Sequence, residues 1–434
     1  MSGNDDTFER ARAAFVAGVQ HHEAGRLPEA EACYARAQAL MPGRPSVLIN
    51  LATVRLALGN PAPVPADLAP VLAADPANPE ALALLARALT ALDRPAQALP
   101  LVEQPQRQRP QDAELHHRRG LLLGRLGRAD EALAAFDAAL ALDAAHAGAW
   151  TQRGSVLREA GRLADAAHCF RQALRHGGDT ALNGWFLASV TGHAVECAAA
   201  VGCDGADFAG DTAGATAGDT AAAASAPTAW GQAPARYVQA LFDGYAEGFD
   251  RHLVEGLGYG VPEALAALLP PGRHFASALD LGCGTGLCTP PLQGRVGRLV
   301  GVDLSPRMLE QARARGLYAE LHEAELVAWL QGAEPGFDLV LAADVFIYIG
   351  DLAPVFDGVR RVLAPGGQFV FSVEAADDEA AVQLGAQLRY RHGEAALRAL
   401  ADAHGFEVHT VRREVLRHEL QKPIDGLLMR LSSR

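Results

Sequence analysis

No two of the six cysteines stand close enough to make a metal or redox pair. Cys33, Cys169, Cys197, Cys203, Cys283 and Cys288 contain no CxxC spacing. Neither a zinc site nor a dithiol motif is therefore expected, and free thiols in a reducing cytosol are the plain reading. Positive charge is also short: 38 Lys and Arg face 51 Asp and Glu, for a net charge of −13. A general nucleic-acid binder needs a basic face to neutralise phosphates, so that class is excluded. Small substrates or basic protein partners remain compatible. No uncharged apolar run reaches the roughly 18 residues of a membrane span. Met1 to Arg12 is acidic and polar and does not read as a secretory leader. A cytoplasmic protein without membrane attachment is expected. What is present is bulk: 434 residues, 50% hydrophobic, too long for one ordinary core. Two or more domains are expected.

The first half repeats itself. Pro42, Pro76 and Pro110 recur every 34 residues. In the same register a turn residue falls at Gly25, Gly59, Asp93, Gly127 and Gly161. A small residue follows at Ala30, Ala98, Ala132 and Ala166, with Val64 as the exception. A bulky one comes four later at Tyr34, Leu68, Val102, Phe136 and Phe170. Another helix-packing slot holds Gly18, Ala52, Ala86, Gly120 and Gly154. Small residues let antiparallel helices approach, the bulky residue fills the gap to the next pair, and the glycine ends the first helix. Period and residue types resemble the tetratricopeptide repeat, over about Arg10 to Gly178 as five units. Pro61, Pro63, Pro65 and Pro70 in the second unit and Pro105 in the third should shorten or kink the second helices there. The resemblance implies a superhelix with a concave face that binds a protein or peptide. That face would carry Arg12, His22, His117, Arg125 and Arg158, either as a groove for acidic peptides or as ordinary solvated helix charge.

Thr180 to Cys203 reads as a capping helix, apolar at Leu182, Trp185, Phe186 and Val190, which extends the repeat domain over 10–200. Asp204 to Thr228 is nearly all Ala, Gly, Thr, Ser and Asp. Such a stretch buries too little to offset its ordering entropy, so 204–228 reads as an extended linker, with a partly helical run from Ala221 to Ala226 as the alternative. Beyond it, 230–434 alternates strands and helices. Strands are expected near Ser277–Leu281, Leu299–Asp303, Ala319–Leu321, Phe337–Ala342, Gln368–Val373, Glu407–Arg412 and Gly426–Leu431. This predicts a doubly wound α/β sheet of seven strands, the last antiparallel, with ligands at the carboxyl ends of the first strands.

The stretch Asp280-Leu281-Gly282-Cys283-Gly284-Thr285-Gly286 then carries the chemistry. Its glycines follow a GxGxG spacing, not the GxGxxG of a dinucleotide fingerprint. Asp280 stands two residues before the first glycine, where a carboxylate would repel a pyrophosphate and suit a sulfonium or an ammonium. Asp303 ends the next strand 17 residues after Gly286, a spacing suited to a ribose diol. Glu325 follows the third strand, in place to accept from an adenine amino group.

Together with Leu304, Ser305, Met308, Leu326, Phe337-Asp338-Leu339-Val340 leading to Asp344, and Leu363-Ala364-Pro365-Gly366-Gly367, these residues resemble the class I S-adenosylmethionine-dependent methyltransferases, over about Tyr237 to Leu431. With the amino-terminal repeats and the stretch from Phe242 to Leu253, the chain is similar to bacterial methyltransferases that carry tetratricopeptide repeats. The resemblance implies a Rossmann-like methyltransferase fold, S-adenosyl-L-methionine as cofactor and no metal. It implies Asp303 on the ribose, Met308 beside the adenine and Asp344 near the methionine moiety. Leu304, Leu326 and Cys283 complete the expected cofactor site.

An activated sulfonium methyl needs an aligned nucleophile and, for some acceptors, removal of a proton. Tyr245 and His392 are the candidate catalytic groups, His392 because a histidine titrates near neutrality. Tyr348, Arg389, Tyr390, Arg417 and Glu419 lie near the expected mouth of the sheet. Two functions fit: a methyltransferase whose repeats recruit a protein partner or substrate, or a protein-binding scaffold whose cofactor domain is silent or sensory. The methyl acceptor is not legible.

Overall fold

Five helix pairs follow one another in the first half of the computed structural model, which describes residues 2–191, 231–246, 248–376, 382–419 and 421–434. They are α1 (Ser2–Glu23) with α2 (Leu27–Leu40), α3 (Pro45–Ala57) with α4 (Val64–Ala74), α5 (Pro79–Ala91) with α6 (Pro95–Gln108), α7 (Ala113–Arg125) with α8 (Ala129–Leu142), and α9 (Ala147–Glu159) with α10 (Leu163–Arg175). The turn slot adopts a left-handed φ in all five pairs. Asp93, in the slot that lacks glycine, takes φ +53° beside +72° at Gly25 and +71° at Gly127. An aspartate tolerates this region better than most side-chain-bearing residues.

Glycine has a second role inside the first helices. A Cβ on Gly18 would lie 2.6 Å from the Tyr34 ring, one on Gly120 2.5 Å from Phe136, and one on Gly154 2.6 Å from Phe170. The three rings are fully buried, so each glycine admits its ring edge against the backbone. The prolines act unequally. The helix of the second unit is shortened, α4 having 11 residues where α2 and α8 have 14. The helix of the third unit keeps 14 residues with Pro100 and Pro105 inside it. Burial of Ala98, Leu99 and Val102 along α6 offsets the lost backbone bonds.

The second compact unit runs from Asp179 to Arg434, the first from Met1 to Gly178. This differs from the expected boundary. Helix α11 (Thr180–Thr191), expected to cap the repeats, counts with the second unit. Its buried Trp185 meets Tyr237 edge-on at 5.0 Å, and Tyr237 belongs to α12 (Ala235–Tyr245). The expected linker at 204–228 lies outside the described residues.

Among the described residues nine strands make one sheet: β1 (Phe275–Leu281), β2 (Val296–Asp303), β3 (Glu320–Glu323), β4 (Phe337–Ala342), β5 (Leu363–Ala375), β6 (Val382–Leu384), β7 (Tyr390–His392), β8 (Phe406–Glu419) and β9 (Lys422–Ser433). The main order is β3-β2-β1-β4-β5-β7-β6; β9 lies antiparallel to β5, and β8 antiparallel to β9. All seven expected strands are present. The two extra ones, β6 and β7, are three-residue pieces too short to leave a periodic signal. Strand residues alternate between two cores. Leu279, Val340, Phe369 and Phe371 pack on one face, and Ala278, Leu339, Leu341 and Val370 on the other. Strand order reverses at β1 and β4, which pair in parallel. Their carboxyl ends therefore open a crevice at the switch point.

Candidate functional site

At the end of β1 the chain turns through three left-handed glycines, with φ +62° at Gly282, +53° at Gly284 and +89° at Gly286. A Cβ on Gly282 would also meet Val345 at 2.4 Å. Asp303 ties this turn to the end of β2. Its Oδ2 accepts the Gly284 N–H at 2.8 Å, and its Oδ1 accepts the Ser305 N–H at 2.8 Å. Burial raises the Asp303 carboxyl, and these backbone donors oppose the rise. Ser305 caps the helix Pro306–Arg315 by accepting from Met308 N–H at 3.1 Å, and donates to Asp243 at 2.6 Å.

A cavity of about 740 Å³ opens beside this turn. Among the expected site residues, Tyr245, Gly282, Cys283, Gly284, Asp303, Leu304, Glu325, Leu326 and Asp344 line it. Four others do not. Gly286 lies past the lining, with Tyr318 and Arg315 against it. Met308 is fully buried, drawn in by the Ser305 cap behind Asp303. Asp280 is fully buried as well, and accepts from the Tyr318 hydroxyl at 2.7 Å. Its other oxygen, Oδ1, meets no nitrogen or oxygen partner. Burial first, and the charge of Asp303 next, push the Asp280 carboxyl up to about 7. Asp280, expected from the sequence to face a ligand cation, thus lies under the loop and off the cavity wall.

His392 is the fourth and the clearest correction. It is 1% exposed on β7, its Nε2 lies 3.3 Å from the Phe346 carbonyl, and it is absent from the cavity wall. Burial, the largest cause, lowers it to about 4. A weakly basic ring locked in the core, off the cavity wall, cannot reach an acceptor's proton. Glu325 does line the cavity, but its two oxygens already cap the helix Leu326–Gly332, accepting from Val327 N–H at 3.0 Å and Ala328 N–H at 2.7 Å.

Two groups of partners were not foreseen. Asp250 accepts from the Thr285 hydroxyl and pairs with Arg315, while Arg315 Nε donates to the Thr285 carbonyl at 2.6 Å. The stretch around α12 is thus fastened to the glycine turn at Asp250 and to the Ser305 cap at Asp243. The only sequence signal was the acid-and-aromatic run Phe242 to Leu253. On the other side, Arg417 on β8 is 2% exposed and meets three carboxylates: Asp344 at 2.6 Å, Glu419 at 2.7 Å, and Glu374. Arg389 pairs with Glu419 and lies 3.6 Å from Glu374. Arg391 lies 3.8 Å from Glu374. His252, also on the cavity wall, packs against Tyr245 with ring centroids 5.4 Å apart.

The expected basic face of the repeats is largely neutralised locally. Arg125 donates to the Thr90 carbonyl at 2.7 Å, Arg158 meets Glu159 at 3.2 Å and Arg12 meets Glu9 at 3.7 Å. His22 packs against Tyr34. His117 and His146 approach Glu114 Oε2 at 3.5 and 3.3 Å, a grouping able to hold a metal. His146 Nδ1, however, accepts the Ala149 N–H at 3.2 Å. In a neutral ring that leaves the proton on Nε2, pointing at Glu114, so His146 and Glu114 read as a hydrogen-bonded pair with the His117 ring packed beside it.

Comparison with known proteins follows this division. The family model described as "Methyltransferase domain" matches residues 279–369. Models described as "Tetratricopeptide repeat" match 66–121 and 113–146. The second unit thus carries a methyltransferase domain and the first carries tetratricopeptide repeats. Nodulation protein S of Rhizobium tropici is 35% identical over 102 residues, 22% of this chain and 42% of that protein. Malonyl-[acyl-carrier protein] O-methyltransferase of Salmonella typhimurium is 34% identical over 135 residues, 31% and 52% of the two chains. Trans-aconitate 2-methyltransferase of Rhizobium leguminosarum bv. trifolii is 37% identical over 110 residues, 25% and 41%. The chain spans about half the length of these relatives. Among solved structures, an S-adenosylmethionine-dependent methyltransferase from Mesorhizobium loti aligns with TM-score 0.33 and 24% identity, over 40% of this chain and 98% of that one. A TPR protein of Thermus thermophilus aligns with TM-score 0.32 and 28% identity, over 38% and 91%. Among the described residues no helix is long and apolar enough to cross a membrane.

Proposed function

We propose that the chain transfers a methyl group from S-adenosyl-L-methionine to an acceptor held in the cavity of the second unit. The observation that carries this reading is Asp303, bonded to the glycine turn and facing the cavity. When bound, the cofactor supplies a methyl group already activated on a sulfonium. Asp303 would accept from the ribose hydroxyls, using lone pairs not taken by Gly284 and Ser305. Leu304 and Leu326 would flank the adenine, and the remaining lone pairs of Glu325 would meet its amino group. Asp344, whose Oδ1 has no partner among the described residues, would face the ammonium of the methionine end. The apolar rings Phe242, Phe249 and Tyr348 exclude water from the space beside them.

The repeats, in this reading, recruit a protein partner or substrate. One relative's name records an acceptor carried on a protein. The test has two arms. Calorimetry with S-adenosylhomocysteine should show binding, and lysate incubated with tritiated-methyl cofactor should yield a labelled acceptor. Binding without transfer would favour a silent or sensory domain on a scaffold. Absence of binding would refute the cofactor reading.

A further inference from the structure

The sheet order divides the cavity wall. Gly282 to Gly284, Asp303 and Glu325 come from the β1, β2 and β3 side. Arg389 comes from the β5 and β7 side, because it immediately precedes β7, which pairs with β5. Arg389 is 28% exposed at its side chain and lines the cavity. Its Nη1 is engaged by Glu419 and Glu374, while Nε and Nη2 have no partner among the described residues. A guanidinium offers five donors in a planar fork, so most of its capacity remains open here. Tyr245 and Tyr348 stand on the same wall, and their hydroxyls also lack partners among the described residues. Phe242 packs edge-on against Tyr348 at 5.6 Å, and Tyr245 against Phe249 at 5.3 Å. Open donors therefore converge within an apolar enclosure.

We propose that the acceptor is a carboxylic acid with an apolar body, its carboxylate held on the open edge of Arg389 beside Tyr245 and Tyr348. The proposal rests on the methyl-transfer reading above. Next to a sulfonium an acceptor carboxylate offsets the positive charge, whereas an acceptor ammonium adds to it. Burial pushes Tyr348 up to about 12 and also raises Tyr245, so both hydroxyls stay protonated near neutrality and donate to an oxyanion. Backbone strain gathers here too. Asp344, Leu388 and Gln421, each a member of the cluster or within two residues of one, take φ +58°, +65° and +64°. Such conformations are costly for side-chain-bearing residues and persist where surrounding structure fixes them, often at functional sites.

The step balances without a base. A lone pair on the carboxylate oxygen forms the new C–O bond as the C–S bond breaks, and the bonding pair stays on sulfur. Anion and sulfonium become a neutral methyl ester and a neutral thioether, and no proton moves. That agrees with His392 being buried off the wall.

The test uses the full chain saturated with S-adenosylhomocysteine and two probes of matched length, octanoate and octylamine, followed by calorimetry. Octanoate should bind and octylamine should not. Arg389→Gln should weaken octanoate by at least ~10-fold, the loss of one charge-assisted hydrogen bond, with Arg389→Lys between it and the parent. Binding of S-adenosylhomocysteine reports that each variant is folded. If Arg389→Gln fails that check, Arg389→Lys and the octanoate-to-octylamine ratio of the parent decide. No octanoate binding, equal binding of octylamine, or undiminished binding by Arg389→Gln overturns the proposal. Failure of the parent to bind S-adenosylhomocysteine would instead overturn the methyl-transfer reading beneath it.

Discussion

Replacing Arg417 by methionine removes the central cation of a buried network while keeping most of the side-chain volume. The parent arginine is 2% exposed and serves Asp344, Glu374 and Glu419 at once. Breaking a buried pair by deleting one partner costs about 3–5 kcal/mol, because the other charge is stranded. For a unit of this size each kcal/mol lowers the melting temperature by roughly 2–4 °C, so a fall of about 6–20 °C is expected near neutral pH. The deficit should depend on pH with a defined sign. Burial already raises Glu374 above its ordinary 4.5, with Arg417 and Arg389 holding it down. Without Arg417 it rises further. A carboxyl raised in the folded state binds more protons folded than unfolded, so it destabilises above its folded value and ceases to do so toward 4.5. The gap between variant and parent should therefore narrow as the pH falls. Adding Glu374→Gln to the variant should recover part of the loss near neutrality. Thermal unfolding across a pH series reads all three effects. A deficit below about 1 kcal/mol, as for an exposed pair, or one that does not change with pH, would refute the reasoning.

Four further outcomes are expected. Asp303→Ala leaves the Gly284 and Ser305 N–H groups without their acceptor, at about 1–3 kcal/mol each, and calorimetry should show affinity for S-adenosylhomocysteine falling by more than ~10-fold; unaltered affinity would put the ribose elsewhere. His392→Leu should leave the pH–rate profile between roughly pH 5 and 8 unchanged, since burial holds the ring neutral there; loss of a limb would make it a base after all. Gly120→Ala forces a Cβ to 2.5 Å from Phe136 and should destabilise the repeats by about 1–3 kcal/mol in denaturant unfolding, partly relieved by Phe136→Leu. A fragment from Asp179 should bind S-adenosylhomocysteine and melt higher than one from Trp230, which lacks the Trp185 contact to Tyr237; equal melting points would return α11 to the repeats.

The sequence was legible where one period repeats or where a strand meets glycine. The 34-residue register found all five helix pairs, even where Asp93 replaces the glycine, because a turn position is fixed by its neighbours as much as by its own residue. The GxGxG turn and Asp303 were readable because adjacent parallel strands bring their carboxyl ends together. Long-range partners were not readable. Nothing local says that Arg417 meets Asp344, 73 residues away, or that Arg315 meets Asp250, 65 residues away. The misreading of His392 has the same origin: neutral-range titration follows from residue type, but burial decides it, and burial depends on the whole sheet. The burial of Asp280 involves a partner that no local pattern shows, Tyr318, 38 residues downstream.

Glycine shows how one residue type carries two separate kinds of information in this chain. At Gly25, Gly59, Gly127 and Gly161 a Cβ would meet nothing within 4 Å, yet φ lies between +71° and +75°. The requirement there is backbone conformation, which is why aspartate can substitute at position 93. At Gly18, Gly120 and Gly154 the backbone is not left-handed, and the obstacle is a buried ring within 2.6 Å. The requirement there is space, which alanine meets at positions 52 and 86 because the facing residues are Leu68 and Val102 and not rings. Gly282 combines both, with φ +62° and Val345 at 2.4 Å. A side chain there would meet strain and collision together, whereas each of the other seven glycines answers to one condition alone. Gly282 is therefore the most tightly specified of the eight, and it stands at the rim of the cavity.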